Sequence, residues 1–264
     1  MKIQVLIATM NLKDKKNLLE KLNVNTEAIV INQIPSSDGE MINYNDKKNQ
    51  IYSYKEKGLS KSRNKALEKS DADICVIADD DMTYVDNYEK IIKDAYKKYS
   101  DADIIVFYVE SAPNSLRKKG KLKEGRLSYL LSLKVQSVQM TFKRKSIIEN
   151  NIRFDENFGA GSNYYMGEEN IFIYDCLKKG LKIYSVPIKI AQLHDGESTW
   201  FKGFDEKYLE VKGAMFYRMT KVFSEIFILQ FAVRRSKLFK PNFSAFSMIK
   251  IMHRGRKKYK KEIK

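Results

Sequence analysis

Three consecutive aspartates, Asp79, Asp80 and Asp81, close a strand-like run over residues 73–78 that is apolar from Ile74 onward. Adjacent carboxylates repel one another, so such a cluster is either a solvated acidic turn or a place held by a cation. Oxygen ligands at the carboxyl end of a buried strand, where open α/β sheets bind their ligands, suit Mg²⁺ or Mn²⁺. Alternation along an extended segment puts Asp79 and Asp81 on one side and Asp80 on the other. A second carboxylate pair, Glu168-Glu169, follows Gly167 and opens a helical segment. Acids in a first helical turn complement the helix dipole, which is the ordinary reason for such a pair. This pair, however, is entered through residues 150–166, a stretch dense in Asn, Gly, Tyr and Phe that reads as a functional loop. His194 is one of only two histidines and lies in the run Leu-His-Asp-Gly-Glu-Ser-Thr-Trp. Its imidazole is a candidate for ligating a metal or contacting phosphate, or for ordinary packing.

The elements that position these groups follow from hydrophobic periodicity. Apolar runs at 2–9, 28–31, 51–54, 73–78 and 104–109 predict strands. Between them, Leu12, Leu18, Leu19 and Leu22 mark the buried side of one helix, and residues 59–69, after Gly58, and 85–99 predict two more. Residues 35–49 are polar and read as a loop. Strands alternating with helices of this length predict βαβ units and a mostly parallel sheet, a nucleotide-binding half of Rossmann type over residues 1–110. No Gly-x-Gly-x-x-Gly turn follows the first strand, which argues against a dinucleotide cofactor. Beyond it come a basic connection at 111–125, a short helix at 127–133 and a strand at 138–142. A helix at 168–179, stopped by Gly180, and a strand at 182–186 ending before Pro187 complete the reading.

Taken in order, these features resemble the family 2 glycosyltransferases, which have the GT-A fold. Ile7-Ala8-Thr9-Met10-Asn11 resembles that family's first strand and nucleotide-facing turn, and Gly58-Leu59-Ser60-Lys61-Ser62-Arg63-Asn64-Lys65-Ala66-Leu67 resembles its characteristic helix start. Asp79-Asp80-Asp81 occupies the place of its Asp-x-Asp motif, and Phe154-Asp155-Glu156-Asn157-Phe158-Gly159 with Gly167-Glu168-Glu169 resembles its acceptor loop and Glu-Asp motif. His194 falls where some members carry a third metal ligand. The similarity covers residues 1–200, and the combined order is more specific than any single motif. It implies an α/β fold of GT-A type and an inverting, divalent-metal-dependent transfer of a sugar from a nucleotide-diphosphate donor, a UDP-sugar, to a glycan or lipid-linked glycan hydroxyl, as in bacterial polysaccharide biosynthesis.

The same resemblance suggests a division of labour. Glu169 is the general base and Glu168 orients the acceptor. Thr9, Asn11, Asp79 and Asp80 line the nucleotide site, with Arg63 pairing with the diphosphate or holding the aspartates. Asp81, with Asp79 and His194, binds Mn²⁺ or Mg²⁺. Asn32-Gln33 stand where the family commonly has an acidic residue after the second strand, and Glu-Glu replaces Glu-Asp, which keeps a carboxylate one methylene further out. No Gln-x-x-Arg-Trp occurs, which argues against a processive polysaccharide synthase.

Composition adds a location. The net charge is +16, yet residues 231–264 hold 12 Lys or Arg against one Glu, so +11 of it lies in that C-terminal stretch. The expected organisation is a catalytic domain at 1–205 (halves 1–110 and 111–205) and a helical, basic extension at 206–264. Residues 222–233 are apolar but too short to span a bilayer, and Arg234, Arg235, Lys237 and Lys240 follow. That pattern suits either an interfacial helix on an anionic leaflet or a helix packed on the domain. No signal-peptide h-region opens the chain and no run of 18 apolar residues occurs, which predicts a cytoplasmic protein, soluble or peripheral. Cys75 and Cys176 read as reduced core thiols. Three alternatives compete: a sugar-nucleotide nucleotidyltransferase, for which no Gly-rich triphosphate loop is present, a nucleic-acid-binding protein using the basic tail, which leaves the carboxylates without purpose, and a non-catalytic homologue.

Overall fold

Residues that alternate along a strand face opposite ways, so a strand apolar at every position has to be covered on both sides. That condition governs this chain. The computed structural model describes residues 1–34, 44–45, 48–112, 114, 121–195 and 203–263. The strands are β1 (Ile3–Met10), β2 (Glu27–Gln33), β3 (Tyr44–Asn45), β4 (Asn49–Tyr54), β5 (Ile74–Asp79), β6 (Met82–Tyr84), β7 (Ile104–Glu110), β8 (Gly125–Arg126), β9 (Met140–Lys143) and β10 (Ile183–Leu193). The helices are α1 (Lys15–Lys21), α2 (Leu59–Lys69), α3 (Tyr88–Lys98), α4 (Tyr129–Ser132), α5 (Arg144–Glu149), α6 (Glu168–Lys178), α7 (Glu206–Met219), α8 (Ser224–Phe239) and α9 (Ala245–Glu262). One sheet orders the strands β3-β4-β2-β1-β5-β9-β7-β10-β6, with β8 also paired to β10. β4, β2, β1 and β5 run parallel, β9 is antiparallel between β5 and β7, and β10 is parallel to β7.

On β1, Val5 and Ile7 enter one core while Leu6 enters another; on β5, Val76 and Ala78 are divided in the same way from Cys75 and Ile77. Leu18 and Leu22 beside α1, with Tyr88 and Ile92 of α3, fill the first side. Ala66 and Leu67 of α2, Ile147 of α5, and Phe172, Ile173 and Cys176 of α6 fill the second. Both cysteines are buried and free, and burial pushes the Cys75 thiol up to about 12. The expected α/β layers and mostly parallel sheet are therefore present. Three boundaries differ. The strand expected to stop before Pro187 continues to Leu193, because Pro187, which has no N–H to give, sits where the β10–β7 register slips between Val186 and Lys189. The expected strand at 138–142 begins with a 3₁₀ turn at Ser137–Gln139, and the helix expected at 127–133 is only α4. Parts of the 35–49 loop and of the 111–125 connection lie outside the described residues.

A third core joins the C-terminal helices to the rest. Phe158, Tyr164 and Met166 from the 150–166 segment, with Ile171 and Tyr174 of α6, pack against Leu209 and Met215 of α7, Phe227 of α8 and Met252 and Tyr259 of α9. Arg218 of α7 binds Asp155 at 2.6 Å and Asp175 at 2.9 Å, and Tyr164 donates to Glu262 at 2.6 Å. α7 and α9 cross so closely that a Cβ on Gly213 would lie 1.9 Å from the Met252 carbonyl oxygen, and one on Gly255 2.0 Å from that of Glu210. Among the described residues, no helix is long and apolar enough to cross a membrane.

Candidate active site

The parallel strands β1, β2 and β5 all end on the same edge of the sheet, so the turns that leave them meet there. After β1 the chain turns through Asn11 in the left-handed region (φ 52°), its amide held by the Gln33 carbonyl at 2.9 Å. Asn32 and Gln33 are buried and already committed. The Asn32 carboxamide accepts from the Leu12 amide and donates to Ser53 Oγ, while Gln33 clasps Gly58, donating to its carbonyl at 2.9 Å and accepting from its amide at 3.1 Å. Two amides where an acid is commonly found thus serve to fix the turn after β1 and the entry to α2. Gly58 takes φ 135°, a backbone conformation open chiefly to glycine.

α2 turns a polar face inward. Ser60, Arg63, Asn64 and Leu67 share one side of it and all are buried. Leu59 N–H bonds Ala160 O at 2.9 Å and Ser60 Oγ donates to Phe158 O at 2.6 Å. Asn64 exchanges two 2.9 Å bonds with the Phe154 backbone. The helix start that carried the resemblance is therefore the clamp that holds the 154–160 segment to the N-terminal half of the sheet. Arg63 is 2% exposed. Its guanidinium donates to Glu168 Oε1 at 2.8 Å, to Asp79 Oδ1 at 3.0 Å and to Ser137 Oγ at 2.8 Å, and lies over the Phe154 ring. It stands behind the edge of the sheet and holds two carboxylates, one of them Asp79 of the aspartate cluster.

Glu168 shares this enclosure. Its carboxylate is buried against the Arg63 guanidinium. Burial first, then the charge of Glu169, push its carboxyl upward against the pull of Arg63, since one guanidinium is shared between two acids. Glu169 is half-buried beside it in the first turn of α6, with no side-chain partner among the described residues. Gly159 lets the two halves meet: with φ 103°, a Cβ there would come within 3.1 Å of Ser60 Oγ and 3.3 Å of the Glu168 side chain.

The three aspartates do not lie along one extended strand. Asp79 ends β5, while Asp80 and Asp81 form the turn into β6, which crosses to pair with β10 at the far end of the sheet. Asp80 accepts from Thr9 Oγ1 at 2.6 Å, and Lys21 Nζ donates to its carbonyl at 3.0 Å. Asp81 carries a buried Oδ1 with no hydrogen-bond partner. Burial, with the charges of Asp79 and Asp80, pushes its carboxyl up to about 6. His194 reaches this turn through its backbone, its amide donating to Asp81 O at 2.8 Å. Its ring Nε2 lies 2.7 Å from Thr83 Oγ1. Thr83 spends its single hydroxyl proton on the Lys21 carbonyl at 2.8 Å, so Nε2–H is the donor and a neutral His194 keeps its lone pair on Nδ1. Residues 196–200 of the His194 run lie outside the described residues.

No three His, Cys, Asp or Glu side chains among the described residues already converge as a metal cage. The chemistry of the turn nonetheless suits a hard divalent cation: the charges of Asp79 and Asp80 bear on Asp81, which carries an orphaned buried oxygen. Sequence reasoning missed Lys21, Thr83 and Ser137, ordinary polar residues with no local signal. A signal for Arg63 did exist, since positions 60, 63 and 64 share a helix face with Leu67, and polar groups on a buried face must be holding something.

No family model matches the sequence, and no curated protein matches it. Solved structures do resemble the fold. The chain is similar to residues 1–349 of S. aureus TarS, with a TM-score of 0.62 and 14% identity over 92% of this chain and 74% of that one. The same TarS fragment in complex with UDP-GlcNAc gives a TM-score of 0.61 at 14% identity, covering 92% and 74% of the two chains. The longer TarS structure gives 0.58 at 14% identity, covering 92% of this chain and 44% of that one. At this identity the likeness establishes the fold, and the expected GT-A type is borne out at that level.

Proposed function

We propose that the protein transfers a sugar from a nucleotide-diphosphate donor, a UDP-sugar, to an acceptor hydroxyl on a glycan or lipid-linked glycan, with inversion. The observation that carries this reading is the Asp79–Asp81 turn at the carboxyl ends of parallel strands, joined through Arg63 to the helix start that presents Glu169. The structural similarity to a protein crystallised with UDP-GlcNAc supports a uridine donor. Thr9, through Asp80, and Asn11 shape the side of the site where the nucleoside sits. Asp81, with Asp79 and His194, would hold Mn²⁺ or Mg²⁺, which would neutralise the charge of the departing diphosphate. Glu169 takes the proton of the acceptor hydroxyl as its oxygen bonds the anomeric carbon from the face opposite the diphosphate. The anomeric carbon–phosphate oxygen bond breaks, and the nucleoside diphosphate leaves with that electron pair. Glu168 and Arg63 position this base by fixing the first turn of α6 against Asp79.

The test has two arms: thermal midpoints against nucleoside diphosphates with Mn²⁺, Mg²⁺ or EDTA, then donor turnover by wild type and Glu169→Gln. A metal-dependent rise for one diphosphate, with turnover that Glu169→Gln abolishes while keeping the rise, is the expected result. Absence of any rise and of any turnover points to a non-catalytic scaffold instead.

A further inference from the structure

The outward face of α8 carries an apolar row on which nothing packs among the described residues. Ile226, Leu229 and Val233, spaced i, i+3 and i+7, are 60%, 50% and 68% exposed, while Phe227, Ile228 and Ala232 on the opposite face are buried in the third core. Soluble surfaces seldom leave such a row open without a partner. Tyr174 of α6 meets the Tyr129 ring at 4.7 Å on one side and the Phe227 ring at 6.1 Å on the other, and α4 exposes Tyr129, Leu130 and Leu131 in succession.

Charge is arranged to match. Arg234, Arg235, Lys237 and Lys240 follow Val233 and are exposed. The one acid of α8, Glu225, is at the other end, where Arg256 and His253 engage it. On α9, Arg254 engages Glu206 and Glu210 and Arg256 engages Glu225, while Lys250, Lys257, Lys258, Lys260 and Lys261 are exposed and add to the positive field of this end of the protein. Arg234, Arg235 and Lys237 of α8, with Lys240 just after it, continue directly from the apolar row.

We propose that the outer face of α8 docks on an anionic lipid bilayer. Ile226, Leu229 and Val233 enter the acyl boundary, and Arg234, Arg235, Lys237 and Lys240 lie among the phosphates. Charge selects this occupant. A second copy of a chain with net charge +16 brings like charges together along the row, whereas an anionic leaflet neutralises them. The proposal stands independently of sugar transfer, because none of these residues belongs to the active site.

The experiment is co-sedimentation of the full chain with phosphatidylcholine vesicles, pure or mixed with phosphatidylglycerol. Binding to the anionic vesicles, weakened by salt, is expected, and Ile226→Glu or Val233→Glu lowers it roughly tenfold or more. Both side chains are exposed, so the thermal midpoint of each variant stays that of wild type, and Arg234→Ala with Arg235→Ala removes the preference for anionic lipid. Three results overturn the proposal: no binding to anionic vesicles, equal binding by wild type and Ile226→Glu, or a lipid-free dimer that Ile226→Glu dissociates, which gives the face to a second copy.

Discussion

Asp81 is a side chain whose environment is unfavourable until something binds it. Its carboxyl is pushed up to about 6 while an unfolded aspartate stays near the ordinary value, so between about pH 4 and 6 the unfolded chain holds fewer protons than the folded one. Metal-free stability therefore falls as pH rises through that window, by about 1–2 kcal/mol once partial solvent screening is allowed for. Asp81→Asn is expected to raise the metal-free thermal midpoint at pH 8 by a few degrees and to remove any Mn²⁺-dependent rise. Calorimetry of both proteins with Mn²⁺ and with EDTA measures both effects, and an unchanged Mn²⁺ response would dismiss Asp81 as a ligand. Arg63 is the opposite case, a charge that its surroundings require. Arg63→Met strands two carboxylates against one another and is expected to cost about 3–5 kcal/mol, seen as a lowered urea midpoint. An ordinary surface arginine would cost almost nothing.

At the level of elements, glycines mark where backbones touch. The α7–α9 crossing leaves no room for a methyl group on Gly213 or Gly255, each of which faces backbone that cannot swing aside. Gly213→Ala or Gly255→Ala is expected to destabilise by about 2 kcal/mol or more, read by urea unfolding. Gly180→Ala gives a useful contrast, because a Cβ there meets nothing and the cost is only that of its φ of 79°. The boundaries of α2 were legible because punctuation is local: Gly58 before Leu59, and Ser70 extended after Lys69. What α2 does was not legible, since its partners Phe154, Phe158 and Glu168 lie some 90 to 105 positions along the chain. β10 shows the converse, a proline that ends a strand by local rule but is absorbed at a slip in register.

For the whole molecule, the third core makes the C-terminal helices part of the body that carries the site. A chain ending at Thr220 loses α8 and α9 and uncovers Phe158, Tyr164 and Tyr174, the apolar backing of the segment that α2 clamps. Such a chain is expected to bind an apolar dye such as ANS strongly and to lose cooperative unfolding, whereas an independent tail would leave both unchanged.

The sequence by itself determined β1, β2, β4, β5 and β7 with the helices α1, α2 and α3 between them, and the placing of Asp79–Asp81 and Glu168-Glu169 at element ends, whereas β3, β6, β8 and α5 carry no such signal. Each of these comes from patterns within a dozen residues, where backbone geometry translates spacing directly into facing. Only the tertiary structure decided which carboxylate is buried and which is open, that Arg63 joins them from behind, that Asn32 and Gln33 hold backbone, and that α8 turns an apolar face outward. Those outcomes rest on which distant groups meet, and meeting is set by how layers pack, not by any local period.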